Sequence, residues 1–139
     1  MSRTNTKAGD VAGCDNGLGY LRICLDGRRY FAHKLAWLYV KGEWLDSDLD
    51  HIDLDRANNR IANLRPATKS QNAANKRISK HNKTGFKGVH WSNRFKRYIA
   101  QIEKNNHNKT LGYFKTAEEA YAAYCKAAIE THGEFARLA

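Results

Sequence analysis

The stretch AHKLAWLYVKGEWLDSDLDHIDLDRANNRIANLRPATKSQNAANK, residues 32–76, decides how this chain is read. Between Lys34 and Val40 the apolar residues Leu35, Ala36, Leu38 and Tyr39 recur at helical spacing, and Gly42 supplies a stop. From Ser47 to Arg65 the composition turns to Asp and Asn with isolated Leu and Ile. That is too irregular for a long helix and predicts an organised loop between short strands. After Pro66, ATKSQNAANKR is a good helix former, with Thr68 or Ser70 available as N-cap. The polar residues held between these elements form a chemically coherent set: Asp50 beside His51, then Asn63, then Asn72. Hydrolysis of a phosphodiester needs a hard cation on oxygen ligands, a base for the attacking water, and a group that fixes the base's tautomer. An Asp carboxylate and an Asn oxygen suit Mg2+ or Mn2+, and His is the side chain that titrates nearest neutrality. Spacing alone leaves a site and a plain loop both open, because Asn is common in turns.

Upstream, GYLRICL and DGRRYFAH read as two strands joined at Asp26-Gly27, with a further turn cluster at Asp15-Asn16-Gly17. Downstream, KRISKHNKTG is basic and lacks apolar periodicity, so residues 79–85 are expected to form a linker. KGVHW, RYIAQIE and KTLGYF then read as three strands, turning near Asn93 and at Asn105-Asn106-His107-Asn108. Tyr98, Ala100 and Ile102 alternate with Arg97, Ile99, Gln101 and Glu103, which gives one apolar face and one mostly polar face. Thr116 with Glu119 forms a capping box for an Ala-rich helix, and Gly133 ends it. The small-residue stripe Ala120, Tyr124, Ala127 and Ala128 lets that helix lie on the apolar face, with Trp91 expected to pack beneath it. The polar face is then turned outward.

Charge separates the same segments. Residues 1–66 carry 10 basic and 9 acidic side chains, residues 67–115 carry 12 and 1, and residues 116–139 carry 2 and 4. A net +11 in the middle segment, interleaved with Phe86, Trp91, Phe95 and Tyr98, is the footprint expected of a nucleic-acid binder. No apolar run approaches the roughly 20 residues that span a bilayer, and the polar start MSRTNTKAGD lacks a signal-peptide core, so no membrane partner is expected. Three scattered cysteines, Cys14, Cys24 and Cys125, fit neither a disulfide framework nor paired zinc knuckles and read as reduced thiols.

Residues 32–76 closely resemble phage-type HNH homing endonucleases, through His33 with Leu35, Asp50-His51-Ile52-Asp53, Asn58-Asn59-Arg60, Asn63-Leu64-Arg65 and Gln71-Asn72. The resemblance implies a ββα-metal fold in which Asp50 and Asn72 hold one divalent cation, His51 activates water and Asn63 orients His51. It also implies cleavage of double-stranded DNA, as a nick or a double-strand cut. Arg60 and Arg65 are candidates for phosphate contacts, with plain surface charge as the alternative. Asp53 and Asp55 read as loop-forming, and His33 as supporting. Where the family pattern has Gly after His-Ile-Asp, this chain has Leu54.

Residues 84–139, above all LGYFKTAEEAYAAYCKAAIETHGEFARL, resemble the APETALA2-type domain of plant ethylene-response factors. That family binds DNA through its three-stranded sheet. The resemblance assigns Lys87, His90, Arg97, Gln101 and Glu103 to outward sheet positions and makes Arg94, Lys96 and Lys109 phosphate contacts. Between Val89 and Ile102 the chain is one residue longer than the plant pattern, and Thr110 replaces its Trp.

The expectation is therefore an α+β chain in three parts. Residues 1–78 form a β-hairpin, a helix and an HNH unit, 79–85 a linker, and 86–139 a three-stranded antiparallel sheet packed on one helix. Its function would be that of a phage endonuclease requiring Mg2+ or Mn2+, acting in the cytoplasm of an infected bacterial host, with homodimerisation left open. The alternative is a DNA-binding regulator whose nuclease unit is degenerate.

Overall fold

The computed structural model describes residue 10, residues 12–105 and residues 107–138. The polar start at residues 1–9, residue 11, and the middle of the expected turn at Asn106 lie outside the described residues. The chain groups into two compact units, residues 1–66 and 67–139.

The first unit opens with an antiparallel sheet of β1 (Cys14–Asp15), β2 (Leu21–Leu25) and β3 (Arg28–Phe31). Leu25 pairs with Arg28, so β2 and β3 are joined by Asp26 and Gly27 alone. Both carry positive φ, 49° and 76°, the condition for a two-residue turn that matches strand twist. Helix α1 (Ala32–Lys41) follows directly and ends at Gly42, which adopts the left-handed conformation and donates its N–H to Leu38 O. The Asn-rich stretch contains β4 (Asp48–His51), a 3-10 turn (Ile61–Asn63) and the start of β5 (Leu64–Ala67), with β4 and β5 paired as a ribbon. Trp37 of α1, Leu49 of β4 and Leu64 of β5 form the core on which this ribbon rests.

The second unit begins with α2 (Lys69–Ala74), capped reciprocally by Thr68 and Gln71. Strands β6 (Val89–Ser92), β7 (Arg97–Lys104) and β8 (His107–Phe114) form an antiparallel sheet in the order β6-β7-β8. Helix α3 (Ala117–His132) has the expected Thr116–Glu119 capping box and stops at Gly133. Val89, Ala100, Ile102, Ala120, Tyr124 and Ala128 make the core between sheet and helix. Ala100 and Ala120 have no exposed surface, so small residues at the crossing let α3 approach closely. Between the pairs Ala100–Gly112 and Gln101–Thr110, β8 carries one extra residue, Leu111, a bulge that bends the strand. Trp91 is not the buried anchor expected: it is 44% exposed, pairs with Tyr98 edge to face at 4.9 Å and bonds Asn93 Oδ1 through Nε1. The indole has a polar atom to satisfy, and β6 is an edge strand of the sheet, where a large side chain keeps contact with solvent.

Segment 82–88 is tightly bonded. Asn82 Oδ1 accepts from the N–H groups of Thr84 and Gly85, Asn82 Nδ2 donates to Phe86 O, and Thr84 Oγ1 donates to Val89 O. Among the described residues no helix is long and apolar enough to cross a membrane.

Candidate active site

Strand β4 ends in Asp50 and His51, both buried, at 2% and 5% exposure. Burial of two ionisable neighbours is tolerated only where each has polar partners. On β5, Arg65 sets Nε and Nη2 each 2.9 Å from Asp50 Oδ2. His51 Nε2 lies 3.0 Å from Asn59 Oδ1. With that oxygen as acceptor, Nε2 carries the proton and Nδ1 is the basic nitrogen. The other side of the His51 ring meets aromatic groups: His33 edge to face at 5.2 Å and Tyr20 at 6.0 Å. His33 is stacked on Phe31 and provides no side-chain cap for α1. Burial, with smaller contributions from His51 and Lys34, lowers its pKa to about 4, so the ring stays neutral near pH 7. Its Nδ1 is buried without a hydrogen-bond partner. Lys34 Nζ donates to Leu45 O at 2.6 Å and to Ser47 O, which fixes the approach to β4.

The loop from Asp53 to Asn63 is organised around one carboxylate. Asp53 accepts from Asn58 Nδ2 at 2.7 Å, the Asp55 N–H at 2.8 Å and Asn63 Nδ2 at 2.9 Å. Desolvation pushes this carboxyl up, yet the bonds from Asn58, Asp55 and Asn63 outweigh it and hold the pKa below the usual carboxylate range. Asn63 Oδ1 accepts from the Asp53 N–H, and Asn63 O accepts from the Ile52 N–H beside His51. Asn63 thus braces the backbone on both sides of the loop. Asp55 accepts from the Ala57 N–H, and Arg56 lies 4.8 Å over the Tyr20 ring while donating to Leu18 O. Asp53 and Asp55 are loop-forming, as their spacing suggested. Leu54 has φ 67° and donates its N–H to His51 O, a turn that a glycine would take without strain.

Arg65 is bound to Asp50, whereas Arg60 is exposed to solvent. Asn72 lies in the second unit, within α2, where its N–H donates to Thr68 O. Asn59 and Tyr20 were assigned no role from sequence. The Asn58-Asn59 pair was the available signal for the first, and nothing marked the second.

On the C-terminal sheet, His90, Ile99 and Tyr113 form one cross-strand row on the face away from the α3 core. His90 and Arg97 are exposed, and Gln101 Nε2 donates to Thr110 Oγ1. Arg94 lies 5.2 Å over Phe95, which meets Tyr113 edge to face at 5.0 Å, and both aromatics are about half exposed. Lys96 and Lys109 are exposed, and Lys109 stands opposite Ile102, on the helix side of the sheet. Lys87 departs from the outward position expected. It precedes β6, and Nζ donates to Ala74 O at 2.5 Å, Lys76 O at 2.7 Å and Arg137 O at 3.1 Å. Partial burial, with Arg137 nearby, lowers its pKa to about 8. An ammonium has three donors, and three carbonyls take them all.

The family model described as HNH endonuclease matches residues 30–74, a run that passes from β3 through α2. An uncharacterized HNH endonuclease of Acanthamoeba polyphaga mimivirus is 38% identical over 106 residues, covering 75% of this chain and 54% of that protein. Protein 3.8 of Escherichia phage T7 is 32% identical over 94 residues, covering 65% of this chain and 74% of its own length. The chain therefore spans about half the length of the mimivirus relative. No solved structure matches it.

Proposed function

We propose that this chain, whose residues 30–74 match the HNH endonuclease family model and which is similar to a viral HNH endonuclease, is a metal-dependent DNA endonuclease that hydrolyses phosphodiester bonds in duplex DNA. The observation that carries this reading is the buried pair Asp50–His51, each side chain held by a polar partner on the neighbouring chain segments. His51 is the general base, and Asn59, 3.0 Å from Nε2, fixes its tautomer. His33, neutral and packed on the ring, restricts its rotation without adding charge. Asn63 keeps the loop closed around the base.

HNH nucleases generally use a divalent metal ion. Among the described residues no three His, Cys, Asp or Glu side chains gather as a metal site. The donors proposed here are accordingly the Asp50 carboxylate and the Asn72 amide oxygen, a hard oxygen set that fits Mg2+ or Mn2+. Such an ion would stabilise charge on the scissile phosphate. Arg65 fixes Asp50 in one orientation, and Arg60, which is exposed, is the better placed of the two arginines for a phosphate. That Asp50 and Asn72 both fall inside the family match supports treating them as one ligand set.

The C-terminal sheet supplies affinity for the duplex. It is a three-stranded antiparallel sheet backed by α3, and it lies in the segment of net +11 charge. His90, Arg94, Lys96, Arg97 and Gln101 are the contacts, joined by Phe95 and Tyr113. The test is incubation of purified protein with supercoiled plasmid and phage genomic DNA in Mg2+, in Mn2+ and in chelator. Nicked or linear product in metal alone is expected. DNA binding without cleavage in every condition would overturn this reading in favour of a regulator.

A further inference from the structure

The geometry points to Lys87 as the residue that fixes the helix carrying Asn72 onto the C-terminal sheet, and so as a positioning residue for the proposed metal site. This rests on the reading of Asn72 as a ligand.

Helix α2 has only six residues, Lys69–Ala74, too few to be stable alone. Its last carbonyls have no partner within the helix, and a cation at that end is favoured. Lys87 provides that cation: it binds Ala74 O and Lys76 O at the end of α2 and Arg137 O in the segment after α3. The other end of the helix is tied as well, because Ser70 Oγ accepts from the Asn105 N–H at the β7–β8 turn. Asn72 lies between these two ties.

The base of the Lys87 side chain is itself immobile. Gly88 has φ 72°, and a Cβ there would lie 2.1 Å from the Tyr124 ring, so the backbone at this point is pressed against α3. Gly88 O accepts from the Gln101 N–H at 2.8 Å, which ties the same point to β7. The sheet proposed to hold DNA and the helix carrying Asn72 are thereby one mechanical piece. A residue that the resemblance assigned to an outward, DNA-facing sheet position instead sets the orientation of a ligand.

Three measurements test this. Acetylation footprinting of the wild type should label Lys96 in free protein and show its protection by DNA, with Lys109, on the helix side of the sheet, labelled in both states and Lys87 protected in both. Labelling of free Lys87 that DNA suppresses would overturn the proposal. In Lys87→Met, the amides of Asn72 and Asn75 should exchange at least tenfold faster, and Mn2+ affinity, read by electron paramagnetic resonance without DNA, should fall about tenfold. The salt slope of DNA binding in chelator should not change. A slope reduced by about 0.9 would identify Lys87 as a phosphate contact and overturn the proposal. Asn72→Ala separates the two readings. Unchanged Mn2+ affinity in Asn72→Ala overturns the ligand reading on which this rests, whereas a loss there with none in Lys87→Met overturns the role of Lys87 alone. The footprint needs no variant and can overturn the proposal even where Lys87→Met fails to fold.

Discussion

Arg65 places two guanidinium nitrogens, Nε and Nη2, each 2.9 Å from the same carboxylate oxygen of Asp50. Asp50 is 2% exposed, so its charge is almost wholly removed from water and depends on such partners. Arg65→Met should cost about 3 kcal/mol, because it leaves a buried carboxylate without this cation. Adding Asp50→Asn should recover much of the loss, since the neutral amide needs no counter-charge. Urea melts of the four proteins in a double-mutant cycle measure the coupling. Additive losses would mean that Arg65 does not support Asp50.

Leu54 occupies a backbone conformation that costs a non-glycine residue roughly 1–2 kcal/mol. Leu54→Gly should therefore hold or raise the melting temperature, even though it deletes a half-buried side chain. Leu54→Val, with a β-branch that worsens the clash, should lower it. Thermal melts compare the two, and a lower melting temperature for the glycine than for the valine variant would show that packing by Leu54 outweighs its strain.

The behaviour of this loop shows what the sequence could reveal and what it could not. Features set within a few residues were legible: the Asp26-Gly27 turn, the Gly42 stop, the Thr68 and Thr116 caps and the alternation in β7 each depend on local chemistry. Asp50 and His51 stood out by the resemblance rather than by their types or spacing, and the structure buries both at the end of β4. Partners distant in sequence were not legible. Tyr20 reaches His51 only because β2, β3 and α1 fold back, and no local pattern encodes that contact. Lys87 misled for a related reason: the resemblance assigned it an outward sheet position, but three carbonyls, two at the end of α2 and one after α3, hold it instead. Trp91 misled because alternation gives the face of a strand and not how deeply a side chain on an edge strand is buried.

His33 predicts an acid sensitivity. Its pKa is about 4 when folded and 6.5 when unfolded, so between these values the unfolded chain binds more protons. Stability rises with pH through that window and is lost as pH falls from 6.5 towards 4. The loss from this residue is on the order of 3 kcal/mol. Denaturant midpoints at a series of pH values should slope accordingly. His33→Leu should flatten the slope in that range, and an unchanged slope would show that His33 is protonated in the fold.

Lys96 and Arg97 lie at the start of the outward face and are exposed. Replacing both with Ala should weaken DNA binding at low salt and reduce the slope of log K against log salt by about 0.9 for each phosphate that is no longer neutralised. Fluorescence anisotropy in chelator, over a range of salt concentrations, gives the slope. Equal slopes for variant and wild type would remove this edge of the sheet from the interface.

In the proposed reaction His51 acts on water rather than on DNA affinity. Single-turnover cleavage by His51→Ala at saturating DNA, with binding measured on the same substrate, tests it most directly. Cleavage should fall by at least about 100-fold, the scale of a lost general base, with the dissociation constant within about twofold of wild type. Cleavage near the wild-type rate, or loss of binding and cleavage in equal proportion, would contradict it.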